Sequence, residues 1–503
     1  MQPTLSSPME WDDLLCDVRA KEVMYPERYS SEDEGAQTES DPRSQFQRDY
    51  DRTLFSTPVR RLQDKAQVFP LEPNDSVRTR LTHSLEVSNL AKSLARRATS
   101  RLVKESRIDE EEAEQIVVIA GTCGLVHDLG NPPFGHAGER AMRGWFKDKF
   151  DKDTDNQTLE EKLDGYRENG DVLSTDFTKF DGNAQTIRLL TKLQMLADFD
   201  GLNLTMGTLS AALKYTARSD KLDDDIHERD TPGFFFSEDD IVDAVRECTG
   251  TGKARNPIAF LVEAADDIVY SAVDLEDGIK KGAISWKELK EEFEKSFEKS
   301  GEDGELGLRM IGEAEDNIEE RLEKSDLEKY SEFSDQSRAE AHAKMFRTAA
   351  IREHVTAVVD EFIGQYVDIM HGQYHGELVE DGETGDFVRI CKRIAADEVF
   401  TSSDILRLET MGRQVLHDLM DFFWEGVNEA PYKDPESFRR FPRKTYELMS
   451  ENYRAVFHRD QTEERIEESE LPTEYRRLQL VTDYISGMTD NFACTLHEQI
   501  TNG

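Results

Sequence analysis

Apolar residues recur at the spacing of an α-helix along most of the chain. The clearest case is 256–282, where apolar side chains at 258, 261, 262, 265, 268, 269 and 272 fall on one face of a long helix. Further segments with helical spacing are 11–18, 52–69, 81–103, 111–130, 182–196, 204–217, 285–333, 341–370 and 403–503. Strand patterns are few and short. The pattern therefore predicts an all-α, mostly helical fold with one large helical domain and peripheral additions.

Changes in composition divide the predicted helices into four regions. The first, 1–49, combines a short helix with an acidic segment whose composition is typical of a mobile chain. A helical core at 50–282 follows, and near 148–181 an acidic stretch with little periodicity predicts a surface insertion. The last two regions are a charged helical insertion at 283–340 and a C-terminal helical part at 341–503.

The chain is strongly acidic. Its 503 residues include 105 Asp and Glu against 63 Lys and Arg, which gives a net charge of -42 at pH 7. Duplex DNA and anionic membranes both bind large basic faces, so the composition argues against a general binder of either. No apolar run is long enough to predict a transmembrane helix, and the first residues lack the pattern of a secretory signal. We therefore expect a cytoplasmic protein without a membrane partner.

The five cysteines are scattered and include no CxxC pair. This distribution argues against a disulfide framework and against a cysteine zinc site, and it is consistent with a reducing compartment.

A pattern of histidine and aspartate residues predicts a metal site. His127 and Asp128 are adjacent at the end of an apolar helix, just before a Pro- and Gly-rich break. Taken alone, the pair is better explained by a packed histidine beside a capping aspartate. His83 on the preceding helix and Asp266 within a later apolar helix complete an ordered H…HD…D pattern. Mixed nitrogen and oxygen ligands suit Mg, Mn or Fe, and we expect a divalent cation, with Mg or Mn favoured.

His136 and Glu139 follow the His-Asp pair closely. They are three residues apart, so one helical turn brings them together, and the carboxylate can orient and charge the imidazole for proton transfer. A surface pair of no chemical importance is the alternative. The residues leave open whether His136 acts as an acid, a base or a nucleophile.

Residues 60–107 reverse the overall charge. They contain 11 Lys and Arg against 5 Asp and Glu, a local charge of +6. Clustered arginines beside a divalent cation are suited to a polyphosphate, because the guanidinium fork pairs with phosphate oxygens. Arg60 is one candidate phosphate contact within this basic stretch. An exposed helix surface is the alternative explanation.

Five segments together resemble one protein family. They are RRLQDKAQVFPLEPNDSVRTRLTHSLEVS at 60–88, GLVHDLGNPPFGHAGERAM at 124–142, GNAQ at 182–185, LVEAADDIVYSAVDLEDGI at 261–279 and DYISGMTD at 483–490. They are similar to motifs of the bacterial deoxyguanosine triphosphate triphosphohydrolases of the HD-domain superfamily, in the long branch of that family.

The resemblance implies roles for individual residues. His83, His127, Asp128 and Asp266 would be the metal ligands, with His136 and Glu139 as the catalytic pair. The expected substrate contacts are Gln67 to the 3′-hydroxyl, Asn183, Lys214 and Tyr215 on the phosphate side, Tyr270 and Asp274 at the sugar, and Phe400 and Glu409 at the base. Relatives carry a lysine near the position of Thr231, and this chain does not.

The resemblance also implies the reaction. We expect metal-dependent hydrolysis of dGTP to deoxyguanosine and inorganic triphosphate, by attack of a metal-activated water on the α-phosphorus. Region 341–503 would complete the nucleotide pocket. The alternatives are a broad-specificity dNTP triphosphohydrolase, another HD-type nucleotide phosphohydrolase, or a nucleotide-binding regulator with an inactive site.

Two further partners follow from the resemblance alone. The family forms homo-oligomers, which predicts a hexamer. Relatives bind single-stranded DNA between subunits, but the acidity of this chain argues against such binding, which needs a local basic groove.

Overall fold

The computed structural model describes the chain except for residues 1–4, 6, 28, 30–40, 72–76, 152, 155–156, 167–169, 195–200, 301–303, 325–333, 402, 431–439, 460–470 and 502–503. Most of the acidic segment predicted to be mobile, within 28–44, lies outside the described residues.

Helices make up most of the described chain, as predicted. Up to residue 150 they are α1 (Trp11–Leu14), α2 (Ala20–Met24), α3 (Gln45–Leu54), α4 (Thr57–Arg61), α5 (Arg80–Lys104), α6 (Glu110–Val126) and α7 (Gly135–Phe150). Next come α8 (Leu159–Asp164), α9 (Thr175–Thr178), α10 (Gly182–Arg188), α11 (Met206–Ala212), α12 (Asp239–Thr249) and α13 (Pro257–Lys281).

The second half of the chain is also helical. Its helices are α14 (Trp286–Ser300), α15 (Glu305–Lys324), α16 (Asp335–Gly364), α17 (Tyr366–Met370), α18 (Leu378–Asp381), α19 (Gly385–Ile394), α20 (Ser403–Val427), α21 (Arg440–Leu448), α22 (Glu451–Arg459), α23 (Thr473–Ser486) and α24 (Asp490–Thr501). Single turns of 3-10 helix at Leu62–Asp64, His227–Arg229 and Phe236–Glu238, and π-helical turns at Leu189–Leu193 and Ala395–Val399, connect or extend them.

The described strands are very short. β1 (Asp153–Thr154) and β2 (Gln157–Thr158) pair antiparallel, with Asp153 opposite Thr158. β3 (Ala217–Arg218) and β4 (Pro232–Phe234) pair parallel, with Ala217 opposite Pro232. Two residues or three per strand bury little surface, so the strands brace loops and do not form a layer.

Local capping explains where the central helices begin. The Asp109 side chain accepts a hydrogen bond from the Glu112 backbone N–H, and the Glu112 side chain accepts one from the Asp109 N–H, which starts α6 with acidic residues in its first turn. Asn256 caps α13 by accepting from the Ile258 N–H, and Pro257 occupies the first turn, where a missing N–H costs nothing.

The helices enclose two hydrophobic clusters. The first is centred on α5, α6, α13, α16 and α19, with Leu94, Ile119 and Ile268 fully buried. The second is centred on α7, α10, α20 and α23, with Phe146 and Leu416 fully buried. Because α6 lies in the first cluster and α7 begins the second, the segment between these helices lies where the two clusters meet.

The structure corrects two predicted details. The helix predicted at 52–69 is broken, because α3 ends at Leu54 and Pro58 starts a separate short helix, α4. The stretch near 148–181 is not only a surface insertion, since Leu163, Leu173, Phe177 and Phe180 are buried in the second cluster. The acidic residues between these apolar positions mask their contribution to the core.

Cys16 and Cys248 form a disulfide, with their Cα atoms 6.6 Å apart. This single bridge is not a disulfide framework, but the sequence did not predict it. The two cysteines are 232 positions apart, and they meet because α1 packs against α12. Among the described residues, no helix is long and apolar enough to cross a membrane.

Candidate active site

Three helices bring the four predicted metal ligands together. His83 lies on α5, His127 and Asp128 directly follow α6, and Asp266 lies in the middle of α13. The Nε2 atom of His83 is 3.0 Å from the Asp266 Oδ1 atom, and the Nε2 atom of His127 is 3.5 Å from both Asp266 Oδ1 and Asp128 Oδ2. One ligand atom each from His83, His127 and Asp128 lies within 4.8 Å of the others.

The His127 ring is held in the tautomer that binds a metal. Its Nδ1–H donates to the Gly124 carbonyl oxygen over 2.8 Å, which leaves the Nε2 lone pair facing Asp128 and Asp266. This Nε2 atom is buried and has no hydrogen-bond partner among the described residues. A buried lone pair between two carboxylates is the environment that a divalent cation fits.

Electrostatics at the cluster favour a cation. Burial lowers the pKa of His127, but the Asp128 and Asp266 carboxylates raise it to about 9, so without a cation they favour a proton on the same Nε2 atom that a cation would bind. Burial raises the pKa of Asp266, and the neighbouring His127, His83 and Lys214 outweigh it and hold that pKa well below its ordinary value. Both observations reflect ionised carboxylates in a buried position, which bind a cation strongly.

A second layer of contacts fixes the Asp128 carboxylate. Arg80 Nη1 donates to Asp128 Oδ2 over 2.6 Å, and Asn131 Nδ2 donates to Asp128 Oδ1 over 2.6 Å. Gly135 makes room for the arginine: a Cβ atom there would lie 2.6 Å from Arg80 Nη2, and its φ of +57° suits glycine. Such partners orient a metal ligand and tune its basicity.

His136 and Glu139 form the predicted pair on the first turn of α7. His136 Nδ1 lies 3.0 Å from Glu139 Oε2, and Glu139 Oε1 accepts a hydrogen bond from the Gly182 N–H at the start of α10. The Glu139 side chain is buried, whereas the His136 side chain is 73% exposed and projects into a cavity. The hydrogen bond to Glu139 raises the pKa of His136, although partial desolvation inside the cavity works against it.

One cavity of about 1020 Å³ joins these groups. Three residues of the metal cluster line the cavity: His127, Asp128 and Asp266. His83 is buried behind them. The other predicted residues that line it are His136, Glu139, Gln67, Asn183, Lys214, Tyr215, Tyr270, Phe400 and Glu409. The cavity is large enough for a nucleotide.

The predicted substrate residues differ in how they are held. Lys214 Nζ lies 3.8 Å from Asp266 Oδ2, next to the metal cluster. Gln67 Oε1 has no hydrogen-bond partner among the described residues. The Tyr270 and Phe400 rings are 6.2 Å apart between centroids, and Glu409 accepts a hydrogen bond from Arg140 over 2.9 Å.

Two predicted substrate residues do not reach the cavity wall. Arg60 is exposed on α4 and donates to the Phe55 carbonyl oxygen, because its neighbour Arg61 takes the inward position and donates to Gly487. Asp274 is buried two turns beyond Asp266, and its Oδ2 atom lacks a partner among the described residues.

The basic stretch at 60–107 is mostly engaged elsewhere. Arg78, for example, pairs with Glu86, Glu276 and Asp277. From this stretch, Arg80 is the arginine that lines the cavity. The stretch therefore contributes one arginine to the cavity wall, while Arg78 and Arg101 pair with acidic residues of neighbouring helices.

Other cations that line the cavity were not predicted. They are Arg140, Arg143, Lys147, Lys179 and Lys392. Three of them share one face of α7 with His136, at four, seven and eleven residues beyond it, and this periodicity was a usable signal. Lys392 gave no signal, since only the packing of α19 against α13 brings its Nζ atom to 3.3 Å from Asp267 Oδ1.

Sequence comparisons agree with this arrangement. The sequence model of the HD domain matches residues 80–225, and that of the phosphohydrolase-associated domain matches 378–499. A deoxyguanosinetriphosphate triphosphohydrolase-like protein of Listeria monocytogenes is 33% identical over 98% of this chain and 99% of its own length. The chain belongs to the family of deoxyguanosinetriphosphate triphosphohydrolases and their like. It is an HD-type phosphohydrolase.

Other members of the triphosphohydrolase family also match this chain over nearly its full length. The triphosphohydrolase-like protein of Synechocystis is 32% identical over 98% of this chain and 99% of its own length. The deoxyguanosinetriphosphate triphosphohydrolase of Salmonella arizonae is 30% identical over 95% of this chain and 97% of its own length. The range that matches the HD domain contains His83, His127, Asp128, His136 and Glu139. The associated domain contains Phe400 and Glu409.

Proposed function

We propose that the protein hydrolyses dGTP to deoxyguanosine and inorganic triphosphate, with Mg or Mn held by His83, His127, Asp128 and Asp266. The observation that carries this proposal is that a single cavity of about 1020 Å³ contacts both the metal cluster and the His136–Glu139 pair. When bound, the cation supplies Lewis-acid stabilisation of phosphate charge and lowers the pKa of a water nucleophile.

The triphosphate requires positive charge beside the cluster. Lys214 is 3.8 Å from Asp266, and Arg143, Lys147 and Lys179 line the same cavity, so they support binding of phosphate oxygens. The absence of a lysine at Thr231, which also lines the cavity, is offset by these neighbouring cations. Asn183 and Tyr215 would add neutral hydrogen-bond donors.

His136 is suited to protonate the departing nucleoside oxygen. Its Nδ1 atom is engaged by Glu139, so Nε2 is the atom that delivers a proton. The hydrogen bond to Glu139 raises the pKa of His136 and so favours the protonated ring, which a general acid requires before the bond breaks. Glu139 acts by orienting the ring and by stabilising its positive charge.

The sugar and base contacts favour a deoxyguanosine substrate. The unpartnered Gln67 Oε1 can accept a hydrogen bond from the 3′-hydroxyl, and the Tyr270 ring would stand where a ribose 2′-hydroxyl needs room. Glu409 presents a carboxylate, which only accepts hydrogen bonds. Guanine offers N1–H and N2–H donors together, and so matches a carboxylate better than the other bases do.

Product analysis tests the proposal directly. The purified chain is incubated with each dNTP and with GTP, in Mg or Mn, and the products are separated by anion-exchange chromatography. We expect deoxyguanosine and intact triphosphate from dGTP and no product with a chelator present. Release of phosphate or pyrophosphate contradicts the reaction. Equal turnover of all four dNTPs indicates the broad-specificity enzyme, and binding without any product indicates a regulator.

We further propose that the protein assembles as a homo-oligomer, a hexamer by family resemblance. Leu448 and Phe492 support an interface, because both line one surface cavity of about 350 Å³ and are 56% and 47% exposed. Light scattering of the purified chain measures the mass, and a monomer would contradict the proposal.

A further inference from the structure

The motif DYISGMTD at 483–490 lies close to the active site without lining its cavity. It forms the end of α23, a short turn, and the first residue of α24. That first residue, Asp490, is only 2% exposed. The reaction proposed above gives the motif no role, although it packs against two segments that carry substrate-facing residues.

Asp490 binds two distant backbone groups with its two carboxylate oxygens. Oδ1 accepts a hydrogen bond from the Phe134 N–H over 3.0 Å, and Oδ2 accepts one from the Ala66 N–H over 3.0 Å. These partners are 356 and 424 positions away along the chain. A carboxylate that accepts from two buried N–H groups forms strong, directional contacts.

The first partner controls the start of α7. Phe134 has a φ of +65°, a left-handed conformation that is unfavourable for a residue with a side chain, and Gly135 follows with a φ of +57°. His136 is the next residue, on the first turn of α7. The bond from Phe134 to Asp490 therefore helps to hold the backbone conformation from which His136 projects.

The second partner controls the segment that carries Gln67. Ala66 is adjacent to Gln67. It forms an isolated β-bridge with Thr79, which is the residue just before α5. Lys65 strengthens the same junction, because its Nζ atom donates to the Asn131 and Ser486 carbonyl oxygens over 2.5 and 2.8 Å. One turn at the C-terminal motif thus contacts the backbone beside Gln67 and the segment that leads to His136.

We propose that Asp490 is a positioning residue that holds Gln67 and His136 in a fixed relation across the cavity. Gln67 would accept from the sugar 3′-hydroxyl, and His136 would protonate the 5′-oxygen of the same sugar. Because one side chain anchors both segments, a sugar that Gln67 holds by its 3′-hydroxyl is also placed correctly for proton transfer from His136. This role rests on the proposed function for its substrate, but its structural core is the pair of hydrogen bonds.

The test compares Asp490→Ala and Asp490→Asn with Thr489→Val. Alanine removes both acceptors, whereas asparagine keeps one carbonyl oxygen. Thr489 is the matched control, because its hydroxyl donates to Asp64 Oδ2 over 2.7 Å and accepts from the Phe492 N–H, so valine loosens the same helix start without touching Phe134 or Ala66. All three variants are prepared as the full chain and compared for melting temperature.

Hydrogen exchange measures the anchoring without any substrate. In Asp490→Ala we expect the amides of peptides covering 62–69 and 131–137 to exchange about tenfold faster, because a buried N–H loses its acceptor. Asp490→Asn is expected to be intermediate, and Thr489→Val to leave both peptides unchanged. Unchanged exchange in both Asp490 variants would overturn the proposal. If alanine prevents folding, the asparagine variant decides.

Turnover of dGTP and of 2′,3′-dideoxy-GTP tests the coupling. The wild-type ratio of kcat/KM for the two nucleotides reports recognition of the 3′-hydroxyl. We expect kcat for dGTP to fall about tenfold in Asp490→Asn and the ratio to fall towards one, because both Gln67 and His136 lose position. An equal loss for both nucleotides, with the ratio preserved, shows a general structural role and overturns the proposal.

These two readouts separate failure of the inference from failure of the proposed function. If the wild-type chain releases no triphosphate from dGTP, the proposed function is wrong, and hydrogen exchange alone decides whether Asp490 anchors the two segments. If the wild type is active and exchange and ratio are unaffected in the Asp490 variants, the proposed function stands and the anchoring role is rejected.

Discussion

The metal cluster and the base-side pair of Glu409 and Arg140 line one cavity but are built differently. In the cluster, His83 and His127 are 1% and 9% exposed, and Asp128 is held by two short hydrogen bonds. Glu409 and Arg140 are 34% and 59% exposed and hold each other through one ion pair. Buried, closely packed groups have little freedom to adapt, whereas an exposed pair is weak and can rearrange. The comparison implies a fixed centre at the cluster beside an adaptable surface, at which we propose that the base is recognised.

The largest effect is expected at the cluster. Asp128→Ala removes a ligand and leaves the Arg80 guanidinium buried without its carboxylate, so we expect loss of bound metal and a fall in activity of about 10³-fold or more. Elemental analysis and product chromatography measure the two effects. Asp243→Ala, at an exposed aspartate on α12, is the control. Full metal content in Asp128→Ala would show that the cluster is not the metal site.

Loss of the catalytic pair is expected to separate chemistry from binding. His136→Ala leaves the metal ligands and the phosphate-side cations in place, so metal and nucleotide binding should persist while kcat falls about 10²–10⁴-fold. Calorimetry measures dGTP binding, and triphosphate release measures kcat. His371→Ala provides a control at a half-buried histidine that does not line the cavity. Wild-type turnover in His136→Ala would exclude the imidazole from the reaction.

A smaller, pH-dependent effect is expected from Glu139. In the wild type the Glu139 carboxylate raises the pKa of His136, so the acid stays protonated, and active, to a higher pH. Glu139→Gln keeps a hydrogen-bond acceptor but removes the charge, which lowers that pKa. The alkaline limb of the kcat–pH profile should therefore move to lower pH. Glu160→Gln, at an exposed residue of α8, should leave the limb in place.

The smallest effect is expected at the base-side pair. Glu409→Gln replaces an acceptor with a group that also donates, so preference for dGTP over the other dNTPs should fall about tenfold or less while the best kcat changes little. Competition assays with mixed dNTPs measure the preference. Glu447→Gln is matched, because Glu447 forms a similarly exposed pair with Arg443. A loss as large as that of Asp128→Ala would contradict the adaptable character of this surface.

Sequence reasoning was most reliable where chemistry is local. The His127–Asp128 pair and the His136–Glu139 pair each lie within one turn, and the structure brings both to the cavity. It was less reliable in predicting which charged side chains reach the cavity. Arg60 lies in a basic stretch but does not line the cavity, because it is exposed on α4 and donates to the Phe55 carbonyl oxygen.

Long-range contacts were not readable in advance. Lys392 reaches Asp267 only because α19 packs on α13, and Cys16 meets Cys248 only because α1 packs on α12. Nothing in the spacing of these residues encodes their partners. The buried apolar positions of the acidic stretch, such as Phe177, were missed for a related reason, since the surrounding charges mask them.

The sequence by itself determined the helical fold class, the metal-ligand pattern and the family. Helical periodicity and short motifs are local properties, and they persist wherever the chain packs. Tertiary structure alone decided which carboxylate oxygens face the His127 lone pair, which cations line the cavity and how Asp490 reaches Ala66 across 424 positions. Those outcomes depend on side-chain direction and helix packing, which are set by burial over the whole molecule.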